Sequence, residues 1–134
     1  MKEKEIIKLL RKDARQSLAA IARKAGMPRH CAARALRKCN KYIKKYTIIP
    51  DFRAMGFEVH AMFFLAPKSR KLMQYLDSSY NVNALFTAAG PYPVIVFAIF
   101  REMHGFYMFD KELGKLCNAK RVNFIVDEVK QENA

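Results

Sequence analysis

The positive charge of this chain is concentrated in its first third, and that division constrains what the chain can fold into. Residues 1–46 contain fifteen Lys or Arg and three acidic residues, a net charge of +12, whereas residues 47–134 carry ten bases and nine acids, a net charge of +1. Such an asymmetry predicts two units with different partners, and the basic unit is expected to bind a polyanion. With 134 residues and 51% apolar content, the chain can give both units a packed core.

Several protein classes are excluded by simple features of the sequence. No apolar run approaches the roughly 20 residues that a membrane span requires, and the first residues lack the apolar region and cleavage site of a secretion signal. We therefore expect a cytoplasmic protein that does not contact a membrane. The three cysteines lack Cys-x-x-Cys spacing, which predicts reduced thiols rather than a disulfide framework, and we expect neither a metal site nor a cofactor.

The basic third has the pattern of three short helices. Apolar residues at helical spacing from Ile6 predict the first, Ser17 is placed to cap the second, and Gly26 suits its left-handed end. Pro28 suits the first turn of the third helix. The apolar side of that third helix consists of Ala32, Ala35, Leu36 and Cys39. Two helices joined by a tight Gly-containing turn, the second with a basic outer face, are typical of a helix-turn-helix.

A basic helical face is most often only a solvated face, but small residues that allow two helices to cross closely and a local charge of +12 favour DNA binding here. The early and middle turns of the third helix reach base edges in such motifs. The candidates for base readout are Arg29, His30, Ala33, Arg34 and Arg37. The candidates for phosphate contacts are Lys12, Arg15, Ser17, Lys38, Lys41, Lys44 and Lys45.

The neutral two-thirds alternates β-rich and helical patterns. The apolar, β-rich runs are 59–66, 82–88, 94–100 and 122–129, with helical spacing between the first two and between the last two. Residues 46–51 have the composition of a short strand or hinge stopped by Pro50. The predicted fold class is therefore α+β, an N-terminal helix-turn-helix (winged-helix-like) domain followed by a ferredoxin-like βαββαβ domain.

Both faces of the predicted sheet are apolar. Two helices can cover only one face of a four-stranded antiparallel sheet, and the strand at 94–100 is apolar on both sides. We therefore expect the second face to pack against another subunit, which makes this part a homodimerisation module. The predicted domains are residues 1–46 for DNA binding, 47–57 as a strand or hinge linker, and 58–134 for dimerisation and ligand binding.

The chain resembles the Lrp/AsnC family of bacterial and archaeal transcription regulators. The likeness is carried by IIKLLRKDARQSLAAIARKAGM near the start and by KKYTIIPDFRAMGF at the hinge, and the order of elements agrees over nearly the whole chain. The resemblance implies a homodimer or an assembly of dimers, often an octamer, that binds double-stranded promoter DNA. In many members it also implies an amino-acid effector bound between sheet domains.

The turn before the third strand departs from the family pattern. The family usually has Gly-x-x-Asp there, the acid helping to hold the ligand's amino group, and this chain reads Gly90-Pro91-Tyr92-Pro93. Gly90 and Tyr92 are the candidate effector-turn residues. Because Pro93 cannot replace the carboxylate, a rigid hairpin is favoured over an amino-acid site.

Two other functions fit part of the sequence. Siroheme decarboxylases share the two-domain layout, but the Arg, His and Tyr-Asn pair of their motif are missing from residues 87–95 apart from Tyr92, and the histidines are scattered, so we expect no enzyme. We expect His60 to be a strand residue at the sheet interface rather than a catalytic base. The other alternative is an architectural protein that binds DNA without sequence preference.

Overall fold

The structure, a computed structural model, describes residues 2–132, which form two compact units. The first unit comprises residues 2–49 together with 129–132, and the second comprises Pro50–Glu128. In the described part of the chain, no helix combines the length and apolarity that crossing a membrane would require.

The first unit consists of short helices around a small apolar core. Its helices are α1 (Lys2–Lys12), α2 (Leu18–Ala25) and α3 (Arg29–Cys39), followed by a 3-10 turn at Asn40–Tyr42. The core contains Ile6 from α1, Ile21 from α2, and Ala35 and Cys39 from α3. The predicted apolar side of the third helix is confirmed for Ala32, Ala35 and Cys39, which are buried, while Leu36 packs at the edge of the core.

The second unit is a four-stranded antiparallel sheet with two helices. Its elements in chain order are β1 (Val59–Pro67), α4 (Lys71–Ser78), β2 (Val82–Thr87), β3 (Val94–Phe100), α5 (Met103–Leu116) and β4 (Cys117–Phe124). The strands lie in the order β2-β3-β1-β4, so β1 and β3 are central and β2 and β4 are edges. The predicted helix-turn-helix and βαββαβ fold class is thereby confirmed.

One face of the sheet packs against α4 and α5 through aromatic side chains. Phe63 on β1 and Phe100 on β3 are fully buried, and each lies against Phe109 of α5, with ring centroids 5.2 and 5.3 Å apart. Edge-to-face and tilted pairs at these distances add to the stabilisation that burial itself provides. The alternate residues of β1 point to the other face, which we call the second face.

Two details of the sequence prediction are wrong. The fourth strand begins at Cys117 instead of 122 and ends at Phe124 instead of 129, because β4 follows α5 directly and, as an exposed edge strand, has few apolar residues at its start. Pro28 is the N-cap of α3 rather than part of its first turn, with an extended ψ of 150°. Of the two alternatives predicted for residues 46–51, a short strand or a hinge, the structure shows no strand.

Residues 50–58, which we call the cap, form a compact turn before β1. Asp51 Oδ1 accepts a hydrogen bond from the Ala54 amide at 3.1 Å, and Phe57 N donates to the Phe52 carbonyl at 2.9 Å. Gly56 ends the turn with a φ of +94°. The backbone conformation favours glycine, and a Cβ on Gly56 would lie 2.9 Å from Arg101 Nη1, so the end of that flexible side chain would have to shift.

Replacing Gly56 by alanine should lower the free energy of unfolding by about 1–3 kcal/mol, because alanine is strained at this φ and its methyl group displaces Arg101. Urea unfolding followed by circular dichroism measures the change. Gly114→Ala is the matched control: Gly114 lies in α5, its added Cβ would meet only ordinary contacts, and the variant should gain about 0.5–1 kcal/mol. Equal stability of the two variants would contradict this account of the cap.

Candidate nucleic-acid interface

Hydrogen bonds at the N-terminal and C-terminal ends of α2 fix this helix and the turn that leads from it into α3. Ser17 Oγ accepts a hydrogen bond from the Ala20 amide at 3.1 Å, as predicted for an N-cap. Gly26 has the left-handed φ of +64°, and Met27 N donates to the Ala22 carbonyl at 3.0 Å. These caps set the direction in which the chain enters α3.

A glutamine that the sequence analysis did not single out links α1 to α2. Gln16 Nε2 donates to the carbonyl oxygens of Leu9 at 2.7 Å and Asp13 at 2.8 Å, which lie at the end of α1. Its Oε1 accepts a hydrogen bond from Lys24 Nζ at 2.8 Å. The Leu9 carbonyl also accepts a hydrogen bond from the Asp13 amide at 3.2 Å, so the Gln16 amide adds a second donor there, gives the Asp13 carbonyl a partner and holds Lys24 in place. Glutamine has no distinctive spacing at such a position, and no sequence signal would have found it.

The predicted base-readout residues lie together on α3. Arg29 and Ala33, and likewise His30 and Arg34, are four residues apart, and Arg37 continues the same side of the helix. The arginines and His30 are exposed, and Ala33 is half-buried. The opposite side of α3 is the buried one, with Ala32, Ala35 and Cys39. The exposed side of α3 therefore presents guanidinium groups around one small residue.

The predicted phosphate contacts are all exposed but lie on several segments. Lys12 is the last residue of α1, Arg15 lies in the turn that follows, and Ser17 caps α2. Because Ser17 Oγ acts as an acceptor toward Ala20, its hydroxyl hydrogen is free to donate to an anion. The remaining lysines lie late in α3, in the 3-10 turn or just beyond it: Lys38, Lys41, Lys44 and Lys45.

The candidate effector turn is a tight hairpin between β2 and β3. Ala88 N donates to the Pro93 carbonyl at 2.7 Å, and Gly90 has a φ of +134°. Tyr92 is half-buried, with the Arg121 guanidinium 5.9 Å from its ring centroid. These contacts fit the rigid hairpin that the prolines predict, and the roles of Gly90 and Tyr92 as effector residues stay a prediction.

The thiols differ in environment. Burial raises the pKa of Cys39, and the nearby Glu3 carboxylate raises it further. Burial also raises the pKa of Cys117, opposed in part by Lys120 and Lys68. Cys31 on α3 is only half-buried. Within residues 2–132, no three His, Cys, Asp or Glu side chains gather as metal ligands would.

Alkylation by iodoacetamide should therefore reach Cys31 first, because the reactive species is the thiolate, and burial both raises the pKa of Cys39 and Cys117 and blocks access to them. Mass spectrometry of the native protein near neutral pH should find Cys31 modified at least about tenfold faster than the other two. Denatured protein is the control, in which all three thiols should react at similar rates. Equal rates in the native protein would contradict the described packing.

Solved structures of several transcription regulators share this architecture. LrpC of B. subtilis superposes with a TM-score of 0.88 at 18% identity, covering 97% of this chain and 96% of that one. A transcriptional regulator of Neisseria meningitidis in complex with L-Met gives a TM-score of 0.86 at 14% identity, with 97% and 91% coverage. An AsnC family transcriptional regulator from Agrobacterium tumefaciens gives 0.83 at 14% identity, with 97% and 92% coverage.

Comparison of the sequence alone also finds a regulator. No protein-family model matches the chain. An uncharacterized HTH-type transcriptional regulator of Pyrococcus abyssi is 24% identical over 139 aligned residues, which cover 94% of this chain and 90% of that protein. The resemblance predicted from the sequence is thus confirmed, and the chain has the fold of the Lrp/AsnC transcriptional regulators.

Proposed function

We propose that this protein is a sequence-specific DNA-binding transcription regulator that acts as a dimer or an assembly of dimers in the cytoplasm. The observation that carries the proposal is the exposed side of α3, where Arg29, Arg34 and Arg37 surround Ala33 on a helix positioned by the caps of α2. An arginine can donate two hydrogen bonds to guanine O6 and N7 in the major groove. The net charge of +12 over residues 1–46 supplies the attraction to the phosphate backbone.

The residues of this interface fall into two groups, those that contact base edges and those that contact phosphates. Arg29, His30, Ala33, Arg34 and Arg37 read base edges, and the alanine offers its methyl group to a thymine. The exposed lysines, with Arg15 and Ser17, hold phosphates and set the register of α3 on the duplex. The predicted domains, residues 1–46 for DNA binding, 47–57 as the linker and 58–134 for dimerisation and ligand binding, stay a proposal; their bounds are not those of the two compact units, residues 2–49 with 129–132 and Pro50–Glu128.

Removing a base contact and removing a phosphate contact should change DNA binding in different ways. Arg34→Ala should relax base preference at one position and cost about 1–3 kcal/mol at the selected site, whereas Lys45→Ala should weaken binding to all sequences about equally and lower the salt slope by about 1. Selection of bound DNA from a random pool, followed by titrations at fixed salt, measures both. The wild type should bind its selected site at least about 10³-fold more tightly than random DNA and lose about 10³- to 10⁵-fold in affinity between about 50 and 200 mM salt.

The same titrations test the proposal as a whole. Affinity that does not change with salt would overturn DNA binding through the basic first unit. A preference for the selected site below about tenfold would favour the architectural alternative, in which the dimers coat DNA without reading it. The same pattern of loss in Arg34→Ala and Lys45→Ala would contradict the division of roles.

Self-association is supported by the second face of the sheet. Met62, Phe64 and Ile95 lie on this face, and Phe86 on the neighbouring edge strand is 54% exposed. Contiguous exposed apolar side chains of this kind mark a subunit interface. A C2 dimer through this face would present two helix-turn-helix motifs to a pseudo-palindromic site.

Phe86→Glu should therefore convert the dimer to a monomer, since it places a charge in the apolar interface. Sedimentation equilibrium should give the mass of a single chain for the variant and that of a dimer or larger assembly for the wild type. Tyr80→Glu is the matched control, because Tyr80 is 89% exposed and lies in the turn between α4 and β2 rather than on a strand, and its variant should keep the wild-type mass. Dissociation of both variants, or of neither, would contradict this interface.

An amino acid is the effector class to test. The N. meningitidis regulator of the same fold was solved with L-Met, but in this chain Pro93 stands where the family usually has an acid beside the ligand. The closed hairpin at Gly90 and Tyr92 favours a structural turn. We further propose that the protein is not an enzyme, because its relatives are regulators and the motif of the siroheme decarboxylases is absent from its sequence.

A further inference from the structure

His60 is the buried polar residue that the proposed function does not use. It is the second residue of β1, lies on the second face, and is 4% exposed, the only polar or charged residue buried among residues 2–132. Its ring stands edge-on to Phe97 of β3 at 5.9 Å and to Phe52 of the cap at 6.4 Å. Burying an imidazole between aromatic rings is unfavourable unless its nitrogens have partners.

One nitrogen has a partner and the other lacks one. The Phe57 carbonyl oxygen lies 2.8 Å from His60 Nε2 and can only accept, so Nε2 carries the hydrogen and donates it. In the neutral imidazole, Nδ1 is then an acceptor, and it has no hydrogen-bond partner among the described residues. Glu128 Oε1, also only an acceptor when ionised, lies 3.8 Å from Nδ1.

Protonation of His60 at Nδ1 changes the partners of that nitrogen. With a hydrogen on Nδ1, the imidazolium and the Glu128 carboxylate, 3.8 Å away, form an ion pair while Nε2 keeps its bond to the Phe57 carbonyl. An unpartnered buried acceptor is thereby replaced by an ion pair. When His60 is neutral, two acceptors, Nδ1 and the carboxylate, face each other without a hydrogen between them.

Glu128 belongs to a segment that lies on the sheet beside His60. Residues 125–128, which we call the strap, follow β4 without regular secondary structure. The strap is held by the Ile125 amide, which donates to the His60 carbonyl at 2.9 Å, and by Arg53 Nη2 of the cap, which donates to the Ile125 carbonyl at 2.9 Å. His60 therefore contacts the cap through Nε2 and the strap through its carbonyl and Nδ1.

The other charged groups around His60 are engaged elsewhere or lie farther along their segments. Arg53 also donates to the Glu58 carbonyl, the Arg101 guanidinium lies over the Phe57 ring at 4.5 Å, and Lys120 of β4 pairs with Asp110. The charged residues of the packed segments are Asp51, Arg53 and Glu58 in the cap, Asp127 and Glu128 in the strap, Arg101 after β3, and Lys120 and Arg121 in β4. Glu128 is the acid within ion-pair distance of the ring.

We propose that His60 and Glu128 form a pH-operated clasp that adds an ion pair to the hydrogen bonds holding the strap on the second face when the imidazole is protonated, and that loosens the strap when the imidazole is neutral. Histidine is the side chain that generally changes charge between about pH 5 and 8. The ion pair exists only while the imidazole carries its charge, so the stabilisation that it contributes is lost when the ring is neutral. Loosening of the strap exposes the His60 end of the second face. That end adjoins the surface on which a second copy of the chain is proposed to pack.

The test follows the imidazoles and backbone amides of the full chain by NMR across about pH 5 to 8. The Ile125 and Glu128 amides should shift with the same midpoint as the His60 ring, and the exposed rings of His30 and His104 serve as internal references. After correction for intrinsic exchange, the Ile125 amide should be protected at least about fivefold more at the acidic end than at the basic end.

Glu128→Gln tests the pair directly, because it keeps the shape of the side chain and removes its charge. Its side chain is 39% exposed, so the variant should fold, and the amides of the distant edge strand β2 monitor that. Glu128→Gln should lose the pH dependence of Ile125 protection, whereas Asp127→Asn, the same loss of charge one residue away, should keep it. Equal protection at both ends of the pH range, or an unchanged dependence in Glu128→Gln, would overturn the clasp and leave the DNA-binding proposal untouched.

Discussion

Two helices cannot cover both faces of a four-stranded sheet, and much of this structure follows from that constraint. Helices α4 and α5 bury one face around Phe63 and Phe100, which leaves the alternate residues of β1 and β3 on the second face. At the His60 end of that face, the cap and the strap pack against the strands. The apolar residues toward the other end include Phe64 and Ile95, and there the proposed partner is a second copy of the chain.

The first unit is constrained differently, because α3, the helix proposed to read DNA, has one polar, exposed side and so little apolar surface to bury. Helices as short as α2 and α3 are not stable alone. Here Ala35 and Cys39 allow α3 to pack closely against Ile6 and Ile21, and the hydrogen bonds of Ser17 fix the start of α2. The order of the motif thus depends on local hydrogen bonds as well as on its small core.

The sequence predicted what depends on periodicity and missed what depends on contacts between distant segments. Helical and strand spacing gave the fold class, and capping chemistry identified Ser17 and Gly26. The start of β4 was misplaced because the exposed residues of an edge strand resemble a loop in composition. His60 was expected at the sheet interface, but its bond to the Phe57 carbonyl and its approach to Glu128 depend on how the cap and strap fold back onto β1. The predicted DNA contacts on α3 rest on exposure and spacing alone, and they remain predictions.

The junction between α5 and β4 has a mechanical consequence. Helix α5 ends at Leu116 and β4 begins at Cys117, with no loop residue between them. A flexible connection would absorb a small rotation of the helix, but here the peptide chain passes directly from one regular element to the next. Lys120 of β4 also pairs with Asp110 of α5, which ties the two elements side by side. Helix α5 is therefore joined directly to a strand that pairs along its length with β1, and the strap, which continues from β4, starts from the same sheet edge.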